Sequence, residues 1–222
     1  MALDGMFLYQ LRQELAEKAL DARVDRIHQP TREEIIIALR WKGGAGKLLL
    51  SANAGSPRIH FTGEAPENPK QPPMFCMLLR RRLTGGRIAA IRQRELDRVL
   101  TIVIEARNEL GDLAEWQLVI ELMGKHSNVI LCGEDNRIID ALRRVDGDLS
   151  GKRQVLPGLF YRMPPAQDKH DPFTVSGTGL AAAASQAEEG QTLDRWLLSQ
   201  LLGFSPLLCR ELSFRATGDA AK

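Results

Sequence analysis

The sequence predicts an α+β fold: an antiparallel β-sandwich with flanking helices, followed by a small helical segment. Three observations lead to this prediction. The chain opens with apolar residues at helical spacing, continues with eight or nine short runs rich in Ile, Val and Leu, and returns to helical spacing in its tail. Short strands in series, broken by Gly, Asn, Ser and Pro, indicate antiparallel pairing, and helices then cover the sheets.

The first part of the chain gives one helix and four strands. Asp4 is placed to cap a helix over about residues 5–20, where Phe7, Leu8, Leu11 and Leu15 share a face. The strand-like runs are 22–29, 33–41, 46–52 and 57–62. The four prolines between Glu64 and Pro73 indicate a surface loop.

The next part repeats this order. Pro73 fits the first turn of a second amphipathic helix, which Gly85 and Gly86 terminate. The strand-like runs that follow are 87–94, 98–107, 114–122, 128–132 and 137–142. The last of them could equally be a short helical turn.

The tail indicates a second unit. After Val145 the pattern loosens, and residues 176–191 are small and polar. We expect a first domain over 1–172 and the incomplete start of a helical, helix-hairpin-helix-like domain over 173–222. In it Thr192 or Asp194 caps one helix, and Ser205-Pro206 opens the next.

Composition limits the class of protein. The net charge of +2 and the 44% of hydrophobic residues are ordinary for a globular chain. No secretory signal opens the sequence, no apolar run is long enough to span a membrane, and Cys76, Cys132 and Cys209 each lie among apolar neighbours. We therefore expect a cytoplasmic protein with buried, unpaired thiols.

No catalytic, metal or cofactor site is expected. His28, His60, His126 and His170 have no Cys, Asp or Glu at metal-ligand spacing. The glycines before Lys47 lack the GxxxxGK[ST] frame and lie between two strands, which indicates a hairpin turn instead of a phosphate loop.

Arginines are concentrated in one stretch. Seven of them lie between Arg80 and Arg98, against two acids. This local excess predicts a cationic surface for a phosphate backbone, with Arg80, Arg81, Arg82, Arg92 and Arg94 as candidate RNA contacts. The alternative is that the first three only stabilise the negative end of a helix while the others solvate a strand.

Asp97-Arg98 falls at a turn between two strands, where polar side chains are exposed by default. An arginine can fork onto phosphate or stack on an unpaired base, and an aspartate can accept from a base amino group. A surface salt pair would give the same sequence.

The sequence resembles the NFACT-N domain of the RqcH/NEMF ribosome-associated quality-control family, also called the fibronectin-binding protein A (FbpA) family. The resemblance is carried, in order, by Leu3-Asp4-Gly5, Gln29-Pro30, RIHFT at 58–62, PPMFCMLLRRRL at 72–83, Gln93 with Asp97-Arg98, ELMGKHSNVIL at 121–131, and VLPGLFY at 155–161 with Pro164-Pro165. It covers about the first 165 residues closely. The family's coiled coil and C-terminal RNA-binding domain are not in this sequence.

The resemblance implies a function. Family members bind an obstructed large ribosomal subunit that carries peptidyl-tRNA, recruit tRNA without mRNA, and in bacteria add a C-terminal alanine tail that marks the nascent chain for degradation. It implies alanine tRNA as a partner, tRNA binding by Asp97 and Arg98, and no enzymatic activity of the chain itself. Lys125 and His126 are further candidate RNA contacts; the alternative is a purely structural turn, with Gly124 in a tight conformation and Ser127 and Asn128 bonding the local backbone.

The family fold is similar to the N-terminal domain of formamidopyrimidine-type DNA glycosylases, which use an N-terminal proline amine and an adjacent glutamate. Here Ala2 and Leu3 stand in their places, which disfavours glycosylase activity. A fibronectin-binding surface adhesin, suggested by the older family name, is the other alternative.

Overall fold

A computed structural model describes residues 3–64, 66–149 and 153–218. In these ranges nine strands and five α-helices are present, which confirms the α+β class. The strands are β1 (Arg23–Thr31), β2 (Glu34–Trp41), β3 (Gly44–Ser51), β4 (Arg58–Thr62), β5 (Arg87–Gln93), β6 (Val99–Arg107), β7 (Leu113–Glu121), β8 (Asn128–Cys132) and β9 (Ile138–Ala141). The helices are α1 (Gly5–Ala19), α2 (Met74–Leu83), α3 (Gly177–Ala184), α4 (Leu193–Gln200) and α5 (Pro206–Thr217).

The strands form one continuous antiparallel sheet in the order β4-β3-β2-β1-β5-β6-β7-β8-β9. Two meanders are joined where β1 meets β5, at the single pair Arg23↔Arg87. Buried side chains of both halves belong to one core, and an ion pair between Glu33 and Arg143 links the start of β2 to the end of β9. The nine strands thus form a single sheet where the sequence predicted a sandwich.

Helices α1 and α2 complete this core. Leu8 and Leu15 of α1, and Leu79 and Leu83 of α2, are fully buried in it. Asp4 caps α1 by accepting a hydrogen bond from the backbone N–H of Phe7 at 2.8 Å, as predicted. The apolar stripes read from the sequence are therefore the faces that the helices turn to the sheet.

The strand predictions are confirmed, with ends that differ by at most two residues. Residues 138–141 form a strand and not a helical turn. Lys42 and Gly43 make the hairpin between β2 and β3, with Gly43 at φ +85°, so the glycine-rich stretch is a turn. Helix α3 was not expected; Ser176 caps it, and the alanines that follow are strong helix formers.

The tail helices have a small core of their own around Trp196, Leu197 and Cys209. They also contact α1, because the Ser205 hydroxyl donates to Asp4 at 2.5 Å and the Met6 N–H donates to the Gly203 carbonyl at 3.0 Å. The domain boundary at 172/173, the helix-hairpin-helix type and the glycosylase-like similarity stay predictions. Ala2 lies outside the described residues.

All three cysteines are buried and unpaired. Burial raises the pKa of the Cys132 thiol to about 12 and that of Cys209 to about 11, which holds both in the unreactive thiol form. Over the described ranges, no helix combines the length and the apolar character that crossing a bilayer requires.

Candidate nucleic-acid interface

The β5–β6 hairpin loop, residues 94–98, presents Asp97 and Arg98. The Asp97 N–H donates to the Arg94 carbonyl at 3.0 Å, and Glu95 takes the left-handed conformation at φ +50°. Leu96, between Glu95 and Asp97 in the chain, is buried and anchors the loop. Asp97 and Arg98 are consequently half-buried on a fixed backbone instead of extending freely into solvent.

Gln93 and Gly5 hold this loop in place. The Gln93 amide donates from Nε2 to the carbonyls of Gly5 at 3.0 Å and Asp97 at 2.8 Å. A Cβ at Gly5 would lie 1.8 Å from the Leu96 carbonyl oxygen and 2.8 Å from Cα of Gly203. The glycine of the Leu3-Asp4-Gly5 motif is therefore required by the close approach of three backbone segments.

The turn between β7 and β8 lies beside the hairpin loop, since the Leu122 N–H donates to the Arg98 carbonyl at 2.9 Å. Gly124 is left-handed at φ +56°, and the Ser127 hydroxyl accepts from the Met123 N–H at 2.9 Å. This confirms the structural role expected for Gly124 and Ser127.

Asn128 completes the same turn. Its side chain donates to the Arg143 carbonyl at 2.7 Å and accepts from the Arg143 N–H at 3.0 Å. Lys125 and His126 are exposed at the tip of the turn. Their contact with RNA stays a prediction.

Two adjoining clefts open beside Arg98. The larger, of about 830 Å³, is lined by Arg98, the 125–128 turn and the segment after β9. The smaller, of about 310 Å³, lies between Asp97, Met123, Pro164 and the turn at Phe204. Arg98 is half-buried and lines both clefts.

The cations of the larger cleft differ in their partners. Arg143 pairs with Glu33, and Arg144 with Asp140 at 2.9 Å. Across the described ranges, by contrast, the side chains of Asp97, Arg98 and Lys125 make no ion pair or hydrogen bond with the protein. Among the described residues, Arg98, Lys125 and His126 are therefore open to a ligand in the larger cleft, and Asp97 is open to one in the smaller cleft.

The surroundings of Asp97 disfavour its ionised form. Burial raises the pKa of this carboxyl, and the nearby Glu95 carboxylate raises it further, while Arg94 and Arg98 act in the opposite direction. A desolvated acid without a partner is typical of sites that bind something.

A buried network fixes one wall of the larger cleft, and sequence reasoning missed it. Glu121, 1% exposed, accepts from Arg153 at 2.5 and 3.0 Å and from the Tyr161 hydroxyl at 2.7 Å. These contacts fasten the segment that leads to Pro164 and Pro165 against the end of β7. The only signal in the sequence was an acid at the end of an apolar strand.

The arginines of α2 do not join this site, so the single arginine-rich surface expected from the sequence is wrong. Arg80 donates from Nε to the Ile27 carbonyl at 2.6 Å, and Arg81 and Arg82 each pair with Glu109 at 2.9 Å. Glu109 lies at the β6–β7 end of β6, and Arg98 at the other end, about 30 Å away for nine extended residues. Arg81 and Arg82 are close to Arg98 in the sequence, but they lie at the opposite end of β6 in the structure.

Arg92 and Arg94 do lie near the hairpin loop. Both are exposed, and Arg92 pairs through its backbone with Thr101 of β6. Their contact with RNA stays a prediction.

The chain is similar to known proteins over nearly its whole length. The family model described as NFACT N-terminal and middle domains matches residues 4–222. The Rqc2 homolog RqcH of Bacillus subtilis is 44% identical over 217 residues, which are 97% of this chain and 38% of that protein. The archaeal Rqc2 homolog aRqcH of Methanocaldococcus jannaschii is 26% identical over 93% of this chain and 30% of its own length. The chain thus spans 38% and 30% of the length of these two relatives.

The chain is also similar to solved structures over nearly its whole length. The N-terminal domain of fibronectin-binding protein PavA from Streptococcus pneumoniae has a TM-score of 0.89 and 33% identity, covering 97% of this chain and 80% of that one. The fibrinogen binding protein from Staphylococcus aureus has a TM-score of 0.83 and 32% identity, covering 97% and 75% respectively.

Proposed function

The chain belongs to the NFACT family of Rqc2 homologues, and from this premise we propose that it is the tRNA-engaging N-terminal part of a ribosome-associated quality-control factor. The observation that carries the proposal is the pair Asp97 and Arg98, held half-buried on a fixed loop with no partner among the described residues. A guanidinium and a carboxylate kept open side by side match the phosphates and base edges of folded RNA.

The surroundings of the pair support RNA as the ligand. Lys125 and His126 of the neighbouring turn line the cleft beside Arg98. Arg92 is exposed on the strand that leads to the loop, and Arg94 is exposed in the loop itself. Cations placed around a groove bind phosphate oxygens and position the nucleic acid, while the groove itself reads bases.

The role in the whole factor follows from family membership. We propose that the complete protein binds the obstructed large ribosomal subunit with its peptidyl-tRNA, recruits alanine tRNA, and so supports alanine tailing of the nascent chain in the cytoplasm. In this proposal the groove orients tRNA, and no bond is made or broken by the chain itself. The adhesin and glycosylase alternatives are not favoured.

Binding of alanine tRNA to this chain tests the proposed site. Asp97→Ala with Arg98→Ala should weaken tRNA binding at least about tenfold, because a lost base-edge contact costs about 1–3 kcal/mol and a lost phosphate contact adds to it. The melting temperature should stay close to that of the parent, since neither side chain bonds to the described protein. Fluorescence anisotropy with labelled tRNA at fixed salt gives the affinity.

The opposite end of β6 offers a matched control. Arg107→Ala with Asp112→Ala removes the same two residue types from exposed positions at the end of β6 and in the turn that follows it. This variant should bind tRNA like the parent. Equal affinity of the Asp97/Arg98 variant and the parent would refute the assigned site.

A further inference from the structure

The outer face of the β1–β4 half-sheet is the side turned away from the core. Along β2 and β3, Ile35, Ile37, Leu48 and Leu50 lie in the core, so the residues between them lie on the outer face. We define this outer face by two rows of cross-strand neighbours: His28, Ile36, Leu49 and His60 in one, and Arg26, Ala38, Lys47 and Thr62 in the other.

The first row has an apolar centre between two imidazoles. Ile36 and Leu49 are 4% and 7% exposed, yet neither belongs to a core cluster of the described chain. His28 and His60 flank them on β1 and β4, and both are half-buried. Three strand spacings, about 14 Å, separate the two histidines, so the row is open to solvent mainly at the imidazole rings at its two ends.

Cations line the second row and the edge of the outer face. Arg26 and Lys47 lie two strands apart, about 10 Å. Arg80 of α2 reaches β1 from the side, with Nη2 3.4 Å from Nδ1 of His28. Burial and then the charges of Arg80, Arg26 and Lys47 lower the pKa of His28, so these three cations surround a neutral ring.

Carboxylates in these strands do not neutralise the cations. The four strands contain two acids, and each is already paired: Asp25 with Arg40 at 2.9 Å, and Glu34 with Arg58 at 3.1 Å. In the part of the chain that the structure describes, Arg26, Lys47 and Arg80 have no carboxylate partner. The outer face therefore keeps a net positive charge.

We propose that the outer face is a second RNA-binding surface, which takes a single-stranded segment. A four-stranded antiparallel sheet with rings that can stack on bases and cations for the backbone is a known solution for unpaired RNA. An acidic peptide would satisfy the cations but would leave the two imidazole rings without a matching group. Bases supply flat apolar faces and phosphates supply the charge.

This surface is separate from the Asp97–Arg98 site. None of its eight residues lines either cleft beside Arg98. The inference therefore does not need the proposed tRNA site to be correct, and the two can be tested independently.

Binding of a labelled oligouridylate of about twelve nucleotides tests the proposal, because this length lies within the usual site size of a single-strand-binding domain. Arg26→Glu with Lys47→Glu should weaken binding roughly tenfold or more. It should also reduce the slope of log K against log salt by about 1.4, for two phosphate contacts on a single strand. The neutral variant Arg26→Gln with Lys47→Gln should show the same slope change and serves if the charge reversal disturbs folding.

One variant gives the control. Arg195→Glu with Arg210→Glu makes the same charge change at exposed positions of α4 and α5, and should bind the oligonucleotide like the parent.

Three results would overturn the proposal. The first is unchanged oligouridylate binding in both Arg26/Lys47 variants. The second is an equal loss of oligouridylate affinity in the Arg195/Arg210 control, which would show that only the net charge of the chain matters. The third is displacement of the oligonucleotide by polyglutamate at equal charge concentration, which would indicate a site for acidic protein.

Discussion

Asp97 is the residue at which the structure departs furthest from an ordinary surface turn. Acids in exposed hairpin turns are well hydrated, whereas this one is half-buried beside Leu96 and the Phe204 turn, and its pKa is raised mainly by burial. The sequence placed Asp97 and Arg98 correctly at a turn between strands. It could not show the half-burial, because that depends on Gly5 and Gly203, which are distant in the sequence.

Replacing Asp97 by asparagine should stabilise the chain at neutral pH. A pKa that is higher in the folded than in the unfolded chain means that the ionised carboxylate disfavours folding, and that this penalty disappears as the pH falls through the raised pKa. We expect Asp97→Asn to melt about 1–2 °C higher at pH 7, and the difference to shrink on acidification.

Thermal melts of both proteins over a pH series measure this difference. Asp112→Asn, which removes a carboxylate from the exposed β6–β7 turn, controls for general charge effects. A lower melting temperature for Asp97→Asn at pH 7 would contradict the account of Asp97 as a desolvated, unpartnered acid.

At the scale of elements, the start of α1, the 94–98 loop and the turn before α5 meet at Gly5. Hydrogen bonds from Gln93 to Gly5, and from Met6 to Gly203, lock the three segments together. The tail helices therefore help to position the Asp97–Arg98 loop, although the sequence predicted them as a separate unit.

Gly5→Ala should destabilise the chain by about 1–3 kcal/mol, the usual cost of overpacking a closed contact. The added Cβ would collide with the backbone oxygen of Leu96, which cannot move without shifting the loop. Denaturant unfolding measures the loss, and tRNA affinity should fall with it.

Gly63→Ala is the control, since a Cβ there has no heavy atom within 4 Å. It should change stability by less than about 0.5 kcal/mol. If the two variants unfold alike, the close packing at Gly5 does not hold the loop.

Regular elements were predictable because their signals are local. Strand alternation, the cap at Asp4 and the Lys42-Gly43 turn are set by neighbouring residues. The short helical turn at 124–126 and α3 were missed, since three residues are too few for a periodic pattern and α3 is small and weakly amphipathic. The Glu121–Arg153–Tyr161 network spans 40 residues and has no local signal.

For the whole molecule, the main correction concerns how charge is distributed. Arg80, Arg81 and Arg82 are near Arg98 in sequence but at a different part of the fold, and two of them are paired with Glu109. Lys125, distant in sequence, lines the cleft that contains Arg98. The clustering of arginines in the sequence therefore predicted a larger cationic patch around Arg98 than the structure has. It did not show that two antiparallel hairpins bring Lys125 next to Arg98.

Cross-linking to tRNA tests the central claim, which is that tRNA lies at the Asp97–Arg98 end of β6. A benzophenone side chain at position 126 should cross-link to bound alanine tRNA, because His126 is exposed in the cleft beside Arg98. The same group at position 110, where Leu110 is 87% exposed at the opposite end of β6, should not. Cross-links from position 110 and none from position 126 would contradict the account.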